Sequence, residues 1–341
     1  MRHYRAPWWL PGGHLQTIWP ALAARPRPAE ALRLDRERWR APDGDFIDVD
    51  HLPGGAGAPW LVLFHGLEGS SSSRYAIAFA QAAQARGWRF SIPHFRGCSG
   101  EINLAPRSYH SGDFEEIGWM LGQIRARADA PVFAAGVSLG GNALLRWTEE
   151  AGEGAAQTVR AVAAVSAPLD LIAAGEAIDR GLNRQIYTRN FLRTMKPRAL
   201  AKWAQHPGLF DRDRLEAATT LRAFDDAFTA PLHGFADVDD YWTRASARPH
   251  LHRIRVPALV LNARNDPFVP GASLPAAHQV GDHVTLWQPD DGGHVGFAAA
   301  PFPGHVHTMP EAVCDWLGAL GEPPPDRSLQ SVFERSGYRF A

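Results

Sequence analysis

Six short, mostly apolar runs divide this chain of 341 residues, at 60–64, 89–92, 131–136, 159–165, 258–261 and 284–287. Each has the length of a strand. The first, Trp60-Leu61-Val62-Leu63-Phe64, is apolar without alternation. A strand buried on both faces reads this way, whereas a strand with one wet face alternates. Helix-length segments separate the runs. Such repetition predicts strand–helix–strand crossovers, and hence an α/β fold with a mostly parallel sheet flanked by helices.

The helical segments carry their own punctuation. Serines 70–73 can cap a helix over Ala76, Ile77, Ala80 and Ala83, closed by Gly87. Asp113 and Glu116 have the spacing of a capping box. Behind them Ile117, Met120, Leu121 and Ile124 fall on one helical face. From about residue 168 to 249 strand signals stop, and aromatic residues such as Phe191, Trp203, Phe224 and Trp242 recur at helical spacing. This stretch is expected to be a helical cap inserted into a single domain spanning residues 1–341. Residues 1–58 are expected to form an arm with one or two early strands, for example 46–51. A tail beyond Glu322-Pro323-Pro324-Pro325 is expected to pack on the surface.

Composition removes several function classes. The 35 basic and 36 acidic residues nearly cancel, so no basic stripe marks a nucleic-acid partner and no polybasic block marks a membrane surface. No apolar run reaches the ~20 residues of a membrane span. Two distant cysteines, Cys98 and Cys314, make no disulfide framework. A cytoplasmic protein is the expectation. His250-x-His252 and His305-x-His307 lack cysteines or a carboxylate cluster at ligand spacing, so no metal is expected. Oligomeric state leaves no mark in the sequence.

The chemistry concentrates at Gly136-Val137-Ser138-Leu139-Gly140-Gly141. This is G-x-S-x-G directly after an apolar run and before a helix-compatible stretch, 142–150. That context is the one a nucleophile elbow requires. A serine on a sharp strand-to-helix turn needs small flanking residues, and the helix start aims free N–H groups at an oxyanion.

A serine hydroxyl needs a base, and the base an orienting acid. Where an elbow is used, the partners follow in the order Ser, Asp or Glu, His. Asp266 lies in Asn265-Asp266-Pro267 just past the run at 258–261, and His294 lies in Gly292-Gly293-His294-Val295-Gly296 just past the run at 284–287. Ser138, Asp266 and His294 are therefore expected to project from one edge of one sheet. The loop His65-Gly66-Leu67-Glu68-Gly69 follows the first run, so the backbone N–H groups of Leu67 and Leu139 are the expected oxyanion donors. His65, Arg96, Tyr109 and His110 are expected to line the pocket or to pin its loops.

Several blocks together resemble the YheT-like branch of the α/β-hydrolases, relatives of the eukaryotic ABHD acyl hydrolases and medium-chain esterases. They are His65-Gly-Leu-Glu-Gly, Phe95-Arg-Gly-Cys-Ser-Gly-Glu, Tyr109-His-Ser-Gly-Asp, Gly136-Val-Ser-Leu-Gly-Gly-Asn, Asn265-Asp-Pro and Gly293-His-Val-Gly-Phe. The opening Leu10-Pro-Gly-Gly-His-Leu-Gln-Thr-Ile-Trp matches the same branch. The resemblance implies the α/β-hydrolase fold and a serine ester hydrolase with Ser138, Asp266 and His294 as triad. The residues themselves predict a carboxylic ester hydrolase working through an acyl-serine, without a cofactor, on a small-molecule acyl ester of short to medium chain. Two readings stay open beside it. One is acyl transfer to an alcohol through the same acyl-serine. The other is a non-catalytic binding protein on the same fold.

Overall fold

The computed structural model describes residues 3–24 and 32–321. The expected tail beyond residue 322 lies outside the described residues. One sheet of eight strands runs through the molecule in the order β1-β2-β4-β3-β5-β6-β7-β8. The strands are β1 (Asp35–Arg40), β2 (Phe46–Leu52), β3 (Trp60–Phe64), β4 (Arg89–Pro93), β5 (Val132–Val137), β6 (Ala161–Val165), β7 (Ala258–Leu261) and β8 (Val284–Trp287). All six runs are strands. The pairs β1–β2 and β2–β4 are antiparallel, and the remaining pairs are parallel. The early stretch holds two strands, β2 where one was expected and β1, whose position was not. Five of its six residues are exposed, so it carries no apolar pattern, and pairing with β2 is what holds it.

Strands β3 to β7 bury both faces, as their mostly apolar character requires, whereas β8 at the sheet edge is half-buried along its length. Val62, Phe64, Val132, Ala134, Val162 and Val260 pack into one core. Their neighbours Leu61, Leu63, Phe133, Ala135, Val165 and Leu261 pack into the other. The period of two along each strand sends alternate side chains to opposite layers.

Helices α2 (Arg74–Ala85), α3 (Phe114–Arg125) and α4 (Leu139–Ala151) fill the crossovers. The expected capping box at Asp113 does not form. Arg107 Nη2 lies 2.5 Å from Asp113 Oδ2, and Arg96 Nε lies 2.5 Å from Glu116 Oε1. Guanidinium partners outbid backbone N–H groups for these carboxylates, because charge-assisted bonds are the stronger.

Two regions of the chain sit on this frame. Between β6 and β7 the described chain runs through helices, with two widened (π) turns at Arg184–Thr188 and Asp225–Thr229. The N-terminal stretch, expected as an arm, contains a packed helix, α1 (Gly12–Leu22). Residues 6–24 hold no charged side chain, a signal of packing that weak periodicity hid. Among the described residues no helix is long and apolar enough to cross a membrane.

Candidate active site

Sheet register brings the expected site residues to one edge. Phe64 pairs with Gly136, and the strand ends Val137, Val165, Leu261 and Trp287 pair in sequence across β5 to β8. The loops that follow these ends must open side by side, at the carboxyl edge where open α/β sheets bind ligands.

Ser138 occupies the turn between β5 and α4 with φ 54° and ψ −121°. This is a strained conformation for a residue with a Cβ, of the kind that clusters at functional sites. The flanking glycines follow from close approach. A Cβ on Gly136 would fall 2.4 Å from the Gly140 carbonyl oxygen, and one on Gly140 would fall 2.4 Å from the His65 carbonyl oxygen. The G-x-S-x-G spacing is thus what this turn needs in order to pack.

Asp266, His294 and Ser138 converge. His294 Nδ1 lies 2.8 Å from Asp266 Oδ2, and His294 Nε2 lies 3.0 Å from Ser138 Oγ. The carboxylate can only accept, which places the imidazole proton on Nδ1 and leaves Nε2 to accept from the serine hydroxyl. Asp266 Oδ1 also accepts from the Phe268 and Val269 N–H groups at 2.8 and 3.3 Å, so the carboxylate cannot swing. The Phe268 ring lies over the imidazole with centroids 4.2 Å apart.

The turn at residues 65–69 packs against the same serine; a Cβ on Gly66 would fall 3.2 Å from the Ser138 Cβ. Its other N–H groups are taken. Gly66 N–H donates to Tyr75 Oη at 2.9 Å, Glu68 N–H to Tyr109 Oη at 3.0 Å, and Gly69 N–H to the Gly66 carbonyl at 2.9 Å. Leu67 sits between them. Leu139 is the first residue of α4, where an N–H has no place in the helical ladder.

The remaining expected residues, His65, Arg96, Tyr109 and His110, make contacts that tie neighbouring loops together. His65 is fully buried, with Nδ1 2.8 Å from the Gly66 carbonyl and Nε2 accepting the Phe95 N–H at 3.0 Å. Burial pushes its pKa down to about 3, so it is a neutral strut. Arg96 binds Asp45 at 2.6 Å, Asp43 at 2.8 Å and Glu116 at 2.5 Å, joining three segments. Tyr109 donates to Glu68 Oε1 at 3.1 Å. His110 packs on His233 with ring centroids 4.4 Å apart, and burial pushes both down to about 3. Arg96, Tyr109 and His110 also border the cavity described below.

Helix α1 supplies a part of the site that was not expected. Thr17 Oγ1 accepts the His294 N–H at 2.9 Å. Gln16 Oε1 accepts from Gly292 N–H at 2.8 Å and Asn265 Nδ2 at 2.9 Å, bracing the acid loop and the base loop together. Asn265 Oδ1 accepts the Gly293 N–H at 2.9 Å. Contact is close enough that a Cβ on Gly13 would fall 1.8 Å from the Asn265 carbonyl oxygen, and one on Gly296 would fall 1.8 Å from that of Gln16. A Gln-Thr pair inside an uncharged stretch was the available signal.

A cavity of about 170 Å³ opens over Ser138 and His294. Leu67 and Leu139 border it below. Leu171, Ile178, Phe191, Met195 and Phe228 of the helical insertion border it above. Three charged groups of the insertion interrupt this apolar lining. Lys202 donates to the carbonyls of Asn103 and Ala105 at 2.5 and 3.0 Å, and burial lowers its pKa to about 8. Arg198 Nη1 lies 3.1 Å from Glu68 Oε1. Asp225 accepts from Thr229 Oγ1 at 2.7 Å and Trp242 Nε1 at 2.9 Å, and burial raises it to about 6.

Comparison with known proteins agrees with this architecture. The α/β-hydrolase fold family matches residues 59–301. The chain is 39% identical over 310 residues to the putative esterase YheT of Escherichia coli, covering 89% of each protein. The chain belongs to the α/β-hydrolase family. Human phospholipase ABHD3 is 27% identical to this α/β-hydrolase, over 94% of its length and 79% of ABHD3. Among solved structures, mouse α/β hydrolase domain-containing protein 10 superposes with a TM-score of 0.54 at 15% identity, covering 84% of this chain and 99% of that one. That likeness speaks for the fold.

Proposed function

We propose that this α/β-hydrolase, of esterase and lipase type like its named relatives, is a serine carboxylic ester hydrolase working through an acyl-serine. The observation that carries the reading is the unbroken relay from Asp266 through His294 to Ser138, at 2.8 and 3.0 Å. Ser138 Oγ attacks the ester carbonyl while His294 Nε2 takes its proton. Asp266 holds the imidazole tautomer and stabilises the imidazolium that forms. The oxyanion is received by the N–H groups of Leu67 and Leu139, each such donor being worth about 3–4 kcal/mol of barrier. His294 returns the proton to the departing alcohol. Water, activated by the same imidazole, then releases the acid.

Cavity size supports a short- to medium-chain acyl group. An apolar cavity of about 150 Å³ accommodates a benzene-sized molecule, and the space over Ser138 is about 170 Å³. The helical insertion is read as a cap that excludes water from the acyl chain. A panel of p-nitrophenyl esters from butanoate to hexadecanoate tests this. Turnover should peak among the shorter chains and vanish in Ser138→Ala. Undiminished turnover in that variant would remove the reading.

A further inference from the structure

A nearly neutral total conceals a local imbalance of charge. From residue 180 to residue 210 the chain carries seven Arg and Lys and no Asp or Glu. The Arg189–Gln205 helix divides them between two faces. Phe191, Met195, Arg198 and Lys202 point into the catalytic cavity. Arg189 and Arg193 lie on the exposed side, as does Arg184 one turn earlier, and none of the three has an acidic partner among the described residues. Beside them Leu182 and Ile186 are 67% and 41% exposed.

The apolar surface continues onto α1. His14 Nδ1 lies 3.0 Å from Tyr187 Oη, and Ile18 packs with Tyr187 and Phe268, which seats α1 against the insertion. At about 100° per residue, Leu15 and Leu22 fall between the flank that holds Ile18 and the flank that holds Trp19. Both are exposed, at 45% and 72%. Trp19 packs on Phe302, itself 67% exposed, and Trp8 of the same uncharged stretch is 91% exposed. Isolated exposed apolar residues are ordinary, but several of them grouped beside arginines that lack an acidic partner are not.

We propose that this face docks on an anionic lipid surface. Arginines attract acidic headgroups. Leucine, isoleucine and tryptophan partition into the boundary between headgroups and acyl chains. An acidic protein or nucleic acid would satisfy the arginines and leave the apolar residues wet. The inner face of the same helix lines the acyl cavity, so one helix thickness of about 10–12 Å separates the docking surface from the site. The inference gives the proposed hydrolase a source of lipophilic esters. Vesicle binding is measured without turnover, so either reading can fail alone.

The test is co-sedimentation of the full chain with phosphatidylcholine vesicles carrying about one third phosphatidylglycerol, and with pure phosphatidylcholine. The chain should sediment with the anionic vesicles, and high salt should weaken the binding. Arg189→Glu with Arg193→Glu should lower affinity by about tenfold or more. Leu182→Asp with Ile186→Asp should abolish binding that the arginines alone cannot sustain. Both variants should hydrolyse a soluble butanoate ester at the parent rate, which verifies folding. No sedimentation, or sedimentation unchanged by both variants, would overturn the proposal. So would gel filtration showing that the parent is a dimer which the same variants dissociate, because the face would then join two copies of the chain.

Discussion

The sheet edge and the helical insertion meet at one cavity, yet they are built on opposite terms. At the edge, geometry is over-determined. Ser138 at φ 54°, Val295 at φ 60° and Phe297 at φ 41° are all held in left-handed backbone, and backbone contacts leave no room for a Cβ at Gly136, Gly140 or Gly296. Strain of this kind persists only where surrounding structure enforces it. The insertion is made of short helices and widened turns, with charged groups placed inside it. Lys202 is held by neutral oxygens, and Asp225 by a hydroxyl and an indole N–H. One region holds Ser138, Asp266 and His294 by backbone strain and close packing; the other walls the cavity with apolar side chains and a few buried charged groups.

That contrast orders the expected effects of mutation. Ser138→Ala should lower kcat by about 10⁴-fold or more and leave the melting temperature near the parent value, since it removes one hydroxyl and keeps the Cβ and the backbone of the turn. Loss of stability without loss of turnover would reverse the roles of the two regions. Asp266→Asn should lower kcat by about 10³- to 10⁴-fold, because an amide can donate to His294 Nδ1 and favour the wrong tautomer. Steady-state kinetics with a soluble ester measure both.

Gln16→Ala asks whether α1 belongs to the sheet edge. It strips the acceptor from Gly292 N–H and Asn265 Nδ2. A cost of about 1–3 kcal/mol in chemical denaturation is expected, together with a fall in kcat of about 10- to 100-fold at nearly constant KM, since small misplacements of a catalytic group are costly. A change confined to stability would make α1 a structural element only.

The smallest effect belongs to the insertion. Asp225 is raised from 3.8 to about 6 by burial, so between those values the folded state holds more protons than the unfolded state. Its contribution to stability is full below about pH 4 and is lost as pH rises through 6. Asp225→Asn lacks that loss. Relative to the parent, the variant should gain about 2 kcal/mol between pH 4 and pH 7 in denaturant titrations, with triad-dependent turnover retained. A flat difference across that range would show that Asp225 is solvated or paired.

What could be read in advance divides along the same line. Strands buried on both faces write themselves as apolar runs, so β3 to β7 were legible, as was the half-buried β8 from its Val, Leu and Trp, and with them the edge from which Ser138, Asp266 and His294 project. Cβ exclusion made the elbow legible too, since glycine at 136 and 140 is a direct trace of close approach. Gln16, Thr17 and Asn265 stood in conspicuous blocks without a role, because the loop that a polar residue braces far along the chain cannot be read from its neighbours. The position of β1 could not be read, because an edge strand with one buried residue looks like a charged loop. The capping box at Asp113 and Glu116 was misread, because spacing alone does not reveal that Arg107 and Arg96 claim both carboxylates.

The most direct measurement is to mix the protein with a slowly released acyl ester, quench in acid within the first turnovers, and map the adduct by peptide mass spectrometry. A single acyl group on the peptide containing Ser138, absent from Ser138→Ala and accumulating at the rate of alcohol release, is the predicted result. Alcohol release by the parent with no acylated peptide, or with the acyl group on another residue, would contradict the acyl-serine account.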